Sequence, residues 1–542
     1  MNKSTRIEIY DTTLRDGTQA QGVSLSLQEK LLIADALDGL GLDYIEGGYP
    51  LSNPKDEQFF VEAARRNFKH AKVAAFGMTR RKNIAASDDD GMKALIRSEA
   101  PIVTIVGKTW DLHVREVLQV SPDENLRMIA DSIAVIAKAG RRAFYDAEHF
   151  FDGYLANPEY AVKTLQAARD AGAECLILCD TNGGRLPEEI ASAIDAVRAA
   201  LGNAVLGIHC HNDGGLAVAS TLAGVRHGVT HVQGTINGIG ERCGNADLTA
   251  VIANLAVKYG YSLLQDNTLR HLTETSRYVY EVANLNFQEN QPFVGASAFA
   301  HKGGMHVHAI QRNTTTYEHM DPKVVGNDRR ILVSELSGIS NIAAKADVKY
   351  GLKDNKDRQR LVLKSLMELE NAGYQFEAAE ASFDVLIRRT LGGKWYSAPA
   401  QEVEGGARTC LWNLDHYRCV ISKRGSEAAG TEATVKIVIN GRAEHTVAEG
   451  DGPVDSLRKA LSAALRYHFP RVDDLHLVDY KVRVVNTAAE SAAKVRVVID
   501  WRDASNESLF GTVGVSENIV DASWLALLDA MEYKVLTEQE KG

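Results

Sequence analysis

Apolar positions in the first half of the chain alternate between short continuous runs and longer amphipathic stretches. Short runs are typical of buried parallel strands, and apolar residues at helical spacing are typical of helices packed on a sheet. The predicted strands cover residues 7–10, 43–46, 72–76, 102–106, 143–147, 175–179, 205–209 and 231–235. The clearest predicted helices cover residues 27–40, 122–139, 158–171 and 187–201, the last three beginning at a proline. Proline is common in the first turn of a helix.

About eight strand–helix units in roughly 260 residues predict a (β/α)8 TIM barrel. A doubly wound open sheet is the alternative, but it would leave two or more units over. In a TIM barrel the loops after the strands build the active site. Polar residues do follow six separate predicted strands, namely Arg15 and Asp16, Glu46, Glu148, Asp180 with Thr181, His209 and His211, and Asn245. We therefore expect a site at the barrel mouth.

The pattern changes beyond about residue 280. Residues 295–308 are small and polar with several histidines, residues 357–373 have helical periodicity, and residues 399–407 are typical of a linker. Residues 433–439 resemble residues 493–499, and each segment is followed by a second strand and an amphipathic helix. This duplication predicts a pseudo-symmetric α+β domain, either with a ligand cleft between its repeats or as plain duplication without a ligand. The expected domains are a barrel (1–280), linker subdomains (281–400) and the duplicated domain (405–542).

Composition narrows the class of protein. The 542 residues are 45% hydrophobic and 24% charged, which is ordinary for a soluble globular protein. A net charge of −10 argues against nucleic acid as the main partner. The six cysteines are scattered without zinc spacing, which favours reduced thiols and a cytoplasmic location. We find no signal-like or membrane-spanning apolar run and expect no membrane partner.

Two histidines carry the clearest chemical signal. Residues two apart in a strand face the same way, so His209 and His211 can bind one ion while Cys210 turns away. Two imidazoles with Asp16 and the amide oxygen of Asn245 suit a borderline-hard divalent cation with open positions for substrate. Asn245 has a rival role, because it could instead cap the helix that follows. Such a centre indicates Lewis-acid chemistry on an oxygen-bearing small molecule.

Other polar residues have candidate roles beside the cation. Arg15, next to Asp16, can stabilise a developing oxyanion and would pair with Glu46 or Glu148. The Thr181 hydroxyl can hold a substrate carboxylate. His306 is a suitable proton carrier, although a structural histidine is the alternative reading, and Tyr317 is similarly ambiguous. The wall around a substrate side chain could come from residues 76–78 or 106–107, which the sequence does not rank.

Three motifs resemble one known family. They are residues 11–19 (Asp-Thr-Thr-Leu-Arg-Asp-Gly-Thr-Gln), 209–213 (His-Cys-His-Asn-Asp) and 238–245 (Gly-Ile-Gly-Glu-Arg-Cys-Gly-Asn). The family is that of metal-dependent acyltransferase and lyase barrels, which includes isopropylmalate, homocitrate and citramalate synthases and hydroxymethylglutaryl-CoA lyase. Residues 145–153, 297–306 and 333–338 further resemble its citramalate-forming subgroup.

The resemblance implies a Claisen condensation of acetyl-CoA with pyruvate and water that yields (R)-citramalate and CoA. It implies a divalent ion (Mn, Mg or Zn) and assigns the following roles: metal ligands Asp16, His209 and His211 with Asn245 nearby; substrate contacts Arg15, Glu148 and Thr181; catalytic groups Arg15, Glu148, His306 and Tyr317. From its place at a strand end, Glu46 is a further candidate for binding a substrate hydroxyl. The histidine matching His306 removes the methyl proton of acetyl-CoA, in cis or from a partner chain. The local Gly-Gly-Met-His-Val-His sequence departs from the family's usual form, which leaves His308 as a rival base.

The duplicated tail resembles the regulatory domain of the synthases, which binds an end-product amino acid. For this subgroup the resemblance implies isoleucine as effector, a place in isoleucine biosynthesis, and a homodimer or higher homo-oligomer. Isopropylmalate synthase, with a wider ketoacid pocket and leucine as effector, is the alternative within the class. A metal-dependent C–C lyase and an amino-acid sensor with an inactive barrel are the alternatives outside it.

Overall fold

The chain divides into two compact units. The computed structural model describes residues 6–301, 304–331, 350, 352, 355–392, 401–403, 406–408, 411–426, 428–485 and 493–541. Contacts group residues 1–299 with 319–329 as a first unit and residues 300–318 with 330–542 as a second. Each unit is described by itself.

The first unit is built on a closed barrel. Within residues 6–301, eight parallel strands follow one another around the barrel, and the eighth pairs with the first. They are β1 Glu8–Asp11, β2 Tyr44–Gly48, β3 Lys72–Met78, β4 Ile102–Lys108, β5 Arg142–Glu148, β6 Cys175–Asp180, β7 Leu206–Cys210 and β8 His231–Gly234. The predicted TIM barrel is confirmed, with strand bounds shifted by at most two residues.

Helices surround this barrel in the order that the sequence pattern predicts. They are α1 Leu27–Leu40, α2 Pro54–Arg65, α3 Asp90–Arg97, α4 Asp111–His113, α5 Pro122–Lys138, α6 Phe150–Ala156, α7 Pro158–Asp170, α8 Pro187–Leu201, α9 Ala217–Arg226, α10 Leu248–Ala253 and α11 Leu272–Val282. Helix α1 begins at a capping box, in which Ser26 Oγ accepts from Glu29 N and the Glu29 carboxylate accepts from Ser26 N. Such reciprocal bonds satisfy donors that a helix start leaves unpaired.

The barrel interior changes character along the strands. Its lower part is an apolar cluster of Tyr10, Tyr44, Ala74, Ile102, Phe144, Cys175, Ile177 and Cys179. Alternate residues of a strand share a face, so residues two further along the same strands lie nearer the mouth. Those residues include Glu46, Thr104 and Asp146, and Gln233 has the same position in β8, two residues beyond the buried His231; all four are buried. A sealed apolar base thus supports a buried polar layer below the loops.

The second unit opens with short elements. Strands β9 Ala300–His301 and β10 Arg330–Ile331 pair in parallel, and helices α12 Gly304–Arg312, α13 Lys356–Asn371 and α14 Glu380–Leu391 follow the chain. Strands β11 Gln401–Val403 and β12 Gly406–Arg408 pair as a hairpin inside the stretch predicted as a linker, which is therefore partly ordered. Residues 333–338, part of the resemblance above, lie outside the described residues.

The tail confirms the predicted α+β duplication, but the number of strands in each repeat differs from the prediction. Strands β13 Asn413–Ser422, β14 Gly430–Ile439 and β15 Arg442–Gly450 form one antiparallel sheet, and β16 Leu475–Val484, β17 Val495–Asp503 and β18 Ser508–Ser516 form another. Helices α15 Pro453–Leu465 and α16 Ile519–Lys541 follow them. Each repeat has three strands instead of the predicted two. The first strand of each repeat is mostly exposed, apolar side chains included, and the sequence reasoning did not assign it.

Two further sequence expectations concern cysteines and membranes. The cysteines in the described part of the chain, 175, 179, 210, 243 and 419, are all free thiols. Among the helices that the structure describes, none is both long and apolar enough to cross a bilayer.

Candidate metal centre and active site

Three side chains from distant parts of the chain meet at the barrel mouth. Asp16 follows β1, His209 lies in β7 and His211 follows that strand. Asp16 Oδ2 lies 3.3 Å from His209 Nε2 and 3.8 Å from His211 Nε2, and the two Nε2 atoms are 3.4 Å apart. Within the described residues this is the one group of three or more His, Cys, Asp and Glu side chains whose ligand atoms all lie within 4.8 Å.

The donor set fits a divalent cation. Ligand bonds of about 2.0–2.2 Å place neighbouring donor atoms about 3–3.5 Å apart, close to the spacing seen here. Burial alone would raise the pKa of Asp16, but the Arg15 charge and the His209 hydrogen bond outweigh it and hold that pKa well below its usual range. Burial and the neighbouring His209 lower the pKa of His211 to about 4, so its imidazole is neutral near pH 7. A carboxylate and a neutral imidazole are in the forms that bind metals.

Unsatisfied polar atoms support the same reading. Asp16 Oδ1 and Asn245 Oδ1 are buried and have no hydrogen-bond partner among the described residues. An unpaired buried oxygen costs free energy, which a bound cation would recover. Asn245 is 1% exposed and bridges to the backbone of His211.

The helix-capping alternative for Asn245 is wrong. Helix α10 is capped by Asp247, whose side chain accepts from Thr249 N. Asn245 instead lies in a tight loop, where Gly244 has a φ of +88° and a Cβ on it would meet Gly238 O at 2.0 Å. The loop thus holds Asn245 beside the backbone of His211, and its buried amide oxygen keeps no protein partner among the described residues, so it is available as a ligand.

Arg15 is held in one orientation beside Asp16. Its Nε donates to Glu46 Oε2 at 2.6 Å, and its Nη1 lies 3.4 Å from Asp16 Oδ2. Tyr10 Oη donates to the other oxygen of Glu46 at 2.8 Å, and the Phe76 ring centroid lies 4.0 Å from the guanidinium carbon. Of the two carboxylates that the sequence offered as partners, Glu46 is the one that pairs with Arg15. Glu46 is fully buried, so here it orients the arginine.

Glu148 and Thr181 lie on neighbouring strand ends with other partners. The Glu148 carboxylate pairs with Lys108 Nζ at the end of β4, a lysine that the sequence reasoning missed. Thr181 Oγ1 accepts from His149 N at 2.9 Å. A hydroxyl that accepts one bond keeps its own hydrogen to donate, so Thr181 can still bind a carboxylate.

A hydrogen-bonded chain supports His209 from behind. His209 Nδ1 lies 2.9 Å from Gln233 Oε1, and Gln233 Nε2 donates to Asp146 Oδ1 at 3.1 Å. Burial and the nearby Glu46 raise the pKa of Asp146 to about 7, and its oxygen can accept from the amide in either protonation state. Sequence reasoning missed Gln233 and Asp146. In the sequence, the only signal for both residues was that they lie at inward-facing positions of their strands. The pairing of His209 opposite Gln233 depends on the register between β7 and β8.

His306 and Tyr317 belong to the second unit. Their rings stack with centroids 4.0 Å apart and an interplanar angle of 26°. Tyr317 is 44% exposed, and His306 and His308 are exposed too. The structure thus brings these two predicted residues together on an accessible surface of that unit, where they can meet a ligand.

The structure ranks the candidates for the substrate wall. Phe76 faces into the barrel against Arg15. A Cβ on Gly77 would meet Leu95, and one on Gly107 would meet Tyr145, so those glycines serve close packing. Met78 is 58% exposed. Of these four candidates Phe76 is therefore the one that contacts Arg15. The fifth candidate, Val106, is partly buried on the face of β4 that carries Thr104.

Three family models match consecutive parts of the chain. The HMGL-like family matches residues 6–279, the homocitrate synthase post-HMGL domain-like family matches residues 293–373, and the LeuA allosteric (dimerisation) domain matches residues 400–535. The three motifs that carried the resemblance all lie within the first match.

Curated relatives match over almost the whole length. The chain is 49% identical to the (R)-citramalate synthase of Geobacter sulfurreducens over 537 residues, which cover 98% of both chains. It is 46% identical to the (R)-citramalate synthase of Aquifex aeolicus over 541 residues, or 99% of both chains. It is 30% identical to the 2-isopropylmalate synthase of Methanocaldococcus jannaschii over 544 residues, covering 100% of this chain and 97% of the relative. The chain therefore belongs to the HMGL-like family, in its group of (R)-citramalate synthases.

Proposed function

We propose that the protein is an acyltransferase that condenses acetyl-CoA with pyruvate and water to give (R)-citramalate and CoA. The single observation that carries the proposal is the meeting of Asp16, His209 and His211 beside a fixed Arg15. The full-length similarity to citramalate synthases, at 44–49% identity in four of them, supports pyruvate over branched ketoacids as the substrate.

Asp16, His209 and His211 would hold a divalent cation, with the Asn245 oxygen as a further ligand. When bound, the cation supplies Lewis-acid polarisation of a ketoacid carbonyl. A mixed imidazole and carboxylate set suits Zn²⁺ and Mn²⁺, and Mg²⁺ prefers oxygen ligands. We therefore place zinc or manganese ahead of magnesium.

The first unit's own residues bind pyruvate and stabilise charge. Arg15 neutralises the oxyanion that forms as the keto carbon is attacked, and Glu46, Tyr10 and Phe76 keep the guanidinium in place. The Thr181 hydroxyl donates to the pyruvate carboxylate. Glu148, paired with Lys108, accepts from the hydroxyl of the product.

His306 would remove the methyl proton of acetyl-CoA, with Tyr317 packed on its ring. The enolate attacks the keto carbon of pyruvate, and hydrolysis of the resulting thioester releases CoA. His308 is the rival base, and replacing each histidine by alanine separately distinguishes the two by the loss of thiol release.

Domain roles follow from the same proposal. The barrel (1–280) is catalytic, the linker subdomains (281–400) supply the proton carrier, and residues 405–542 bind an amino-acid effector. Isoleucine is the expected effector, because citramalate precedes isoleucine in biosynthesis. The match to the LeuA dimerisation domain supports a homodimer. We place the protein in the cytoplasm.

Inhibition of the full chain by isoleucine, and weaker inhibition by leucine, is the expected result of an effector titration.

Thiol release from acetyl-CoA tests the reaction. Pyruvate, 2-ketoisovalerate and 2-ketoglutarate are compared in parallel, and we expect pyruvate to give the highest kcat/KM. His209→Ala should abolish thiol release, and the matched control His227→Ala, at an exposed histidine, should not change it. Preference for ketoisovalerate would instead identify an isopropylmalate synthase, and full activity after metal depletion would exclude the metal centre.

A further inference from the structure

His209 is the metal-facing residue whose second ring nitrogen is held by the protein. Its Nε2 faces Asp16 and His211, and its Nδ1 faces Gln233 Oε1 at 2.9 Å. His211 differs, because its Nδ1 is buried without a partner among the described residues. Of the two histidines, His209 therefore has a protein partner that can set its tautomer.

The two neighbours of His209 favour opposite tautomers. Asp16 Oδ2, at 3.3 Å, attracts a hydrogen on Nε2. Gln233 Oε1, as an acceptor, attracts a hydrogen on Nδ1. Only the second tautomer leaves the Nε2 lone pair available to a cation. Without an acceptor at Nδ1, Asp16 would therefore stabilise the form that does not bind metal.

The Gln233 amide can rotate to present either its oxygen or its nitrogen. Asp146 prevents that rotation, because Gln233 Nε2 donates to Asp146 Oδ1 at 3.1 Å. Gln233 is fully buried and Asp146 is 3% exposed, so water does not compete for these bonds. The β7–β8 register places Gln233 directly opposite His209, and β5 supplies Asp146 from across the barrel.

We propose that Gln233, oriented by Asp146, is a positioning residue that fixes the metal-binding tautomer of His209. The proposal rests on the metal centre of the proposed function and adds residues that lie outside its ligands. Partners of this kind typically contribute about 10- to 100-fold to metal affinity. The chain therefore uses three strands to prepare one ligand.

Zinc affinity of the full-length, metal-depleted protein, measured by chelator competition, tests the proposal. Gln233→Leu should weaken zinc binding by about 10- to 100-fold, and Gln58→Leu, at an exposed glutamine, should leave it unchanged. His209→Ala is the reference for loss of a ligand. Equal affinity of wild type and His209→Ala would refute the metal centre itself. Loss in His209→Ala with unchanged affinity in Gln233→Leu would refute only the present inference.

A polarity swap keeps the test valid if Gln233→Leu does not fold. The double variant Gln233→Glu/Asp146→Asn conserves charge. Its new carboxylate at position 233 accepts from His209 Nδ1, and its new amide at position 146 donates to that carboxylate. Its zinc affinity should stay within about threefold of wild type, well inside the loss expected for the leucine variant. A folded double variant with zinc affinity as weak as that of His209→Ala would overturn the proposal.

The hydrogen bond from His209 Nδ1–H to Gln233 can be observed in zinc-loaded protein labelled with ¹⁵N-histidine. The His209 Nδ1–H signal should be protected from exchange in the wild type and in the double variant. In Gln233→Leu it should shift and exchange rapidly, while the His211 signals stay in place. A general loosening of the barrel would move both histidines, and that result would contradict the proposal.

Discussion

At the residue scale, the site depends on fixing groups that are flexible in isolation. Arg15 has a long side chain with several rotatable bonds, yet its Nε donates to Glu46 and the Phe76 ring covers one face of its guanidinium. A guanidinium presents a planar fork of donors, whereas an ammonium is a point charge. The arrangement therefore needs arginine in particular, and not a positive charge in general.

Arg15→Lys should lower kcat for thiol release by about 100-fold, because one preorganised oxyanion donor is worth about 10²–10³. Zinc affinity should change much less, since the three ligands remain. Arg65→Lys, on the exposed side of α2, is the matched control. Unchanged kcat in Arg15→Lys would show that the arginine serves only structure.

Phe76 provides a second test at this scale. Phe76→Ala opens space beside Arg15 and should raise the ratio of kcat/KM for 2-ketoisovalerate over pyruvate by about 10-fold, within the range that one or two carbons contribute. Met78→Ala changes an exposed side chain of the same strand and should leave the ratio alone. The reverse outcome for the two variants would show that the ranking of wall residues is wrong.

At the element scale, strand ends decide which residues meet. The sequence predicted all eight barrel strands and the meeting of the candidate ligands Asp16, His209 and His211, because each lies at the end of an apolar run. It did not predict Gln233 or Lys108, because both are ordinary polar residues whose roles come from register with a neighbouring strand. It also missed β13 and β16, whose residues are mostly exposed.

One carboxylate joins two elements that position Phe76. Asp38, near the end of α1, accepts from the backbone N–H groups of Lys69, His70 and Ala71 at 2.8–2.9 Å, just before β3. Asp38→Ala would remove the acceptor of these N–H groups, that of the buried Ala71 among them, and should destabilise the barrel by about 2 kcal/mol. Calorimetry should show a midpoint lower by about 4–8 °C.

Asp35→Ala on the same helix is the control for that prediction. Asp35 is 44% exposed and pairs only with the surface Arg66. Its removal should cost less than about 1 kcal/mol. Equal midpoints for the Asp38 and Asp35 variants would contradict the role given to Asp38.

At the scale of the whole molecule, the proposed metal ligands and the proposed proton carrier lie in different compact units. A homodimer would let each barrel use His306 from its partner chain. Because metal binding and proton removal are assigned to different residues, mixing two inactive variants can test whether His306 acts from the partner chain.

Equal amounts of His306→Ala and His209→Ala protein, unfolded and refolded together, should regain about a quarter of wild-type activity if His306 acts across an isologous dimer. Half the molecules would then be mixed dimers with one intact site. If His306 acts within its own chain, each chain carries one defect and the mixture stays inactive. Light scattering on the same samples checks that the refolded protein is dimeric.

Helix α14 packs against α16 and β18 of the tail. The buried Arg388 binds Glu540, and Arg389 binds Asp529 and Glu532. Cutting the gene near codon 405 would strip both arginines of these carboxylates, and breaking buried charge pairs costs about 3–5 kcal/mol. Loss of activity in that truncated protein would therefore reflect unfolding of the second unit. Variants that have lost inhibition by the effector are better sought through single substitutions in the full-length chain.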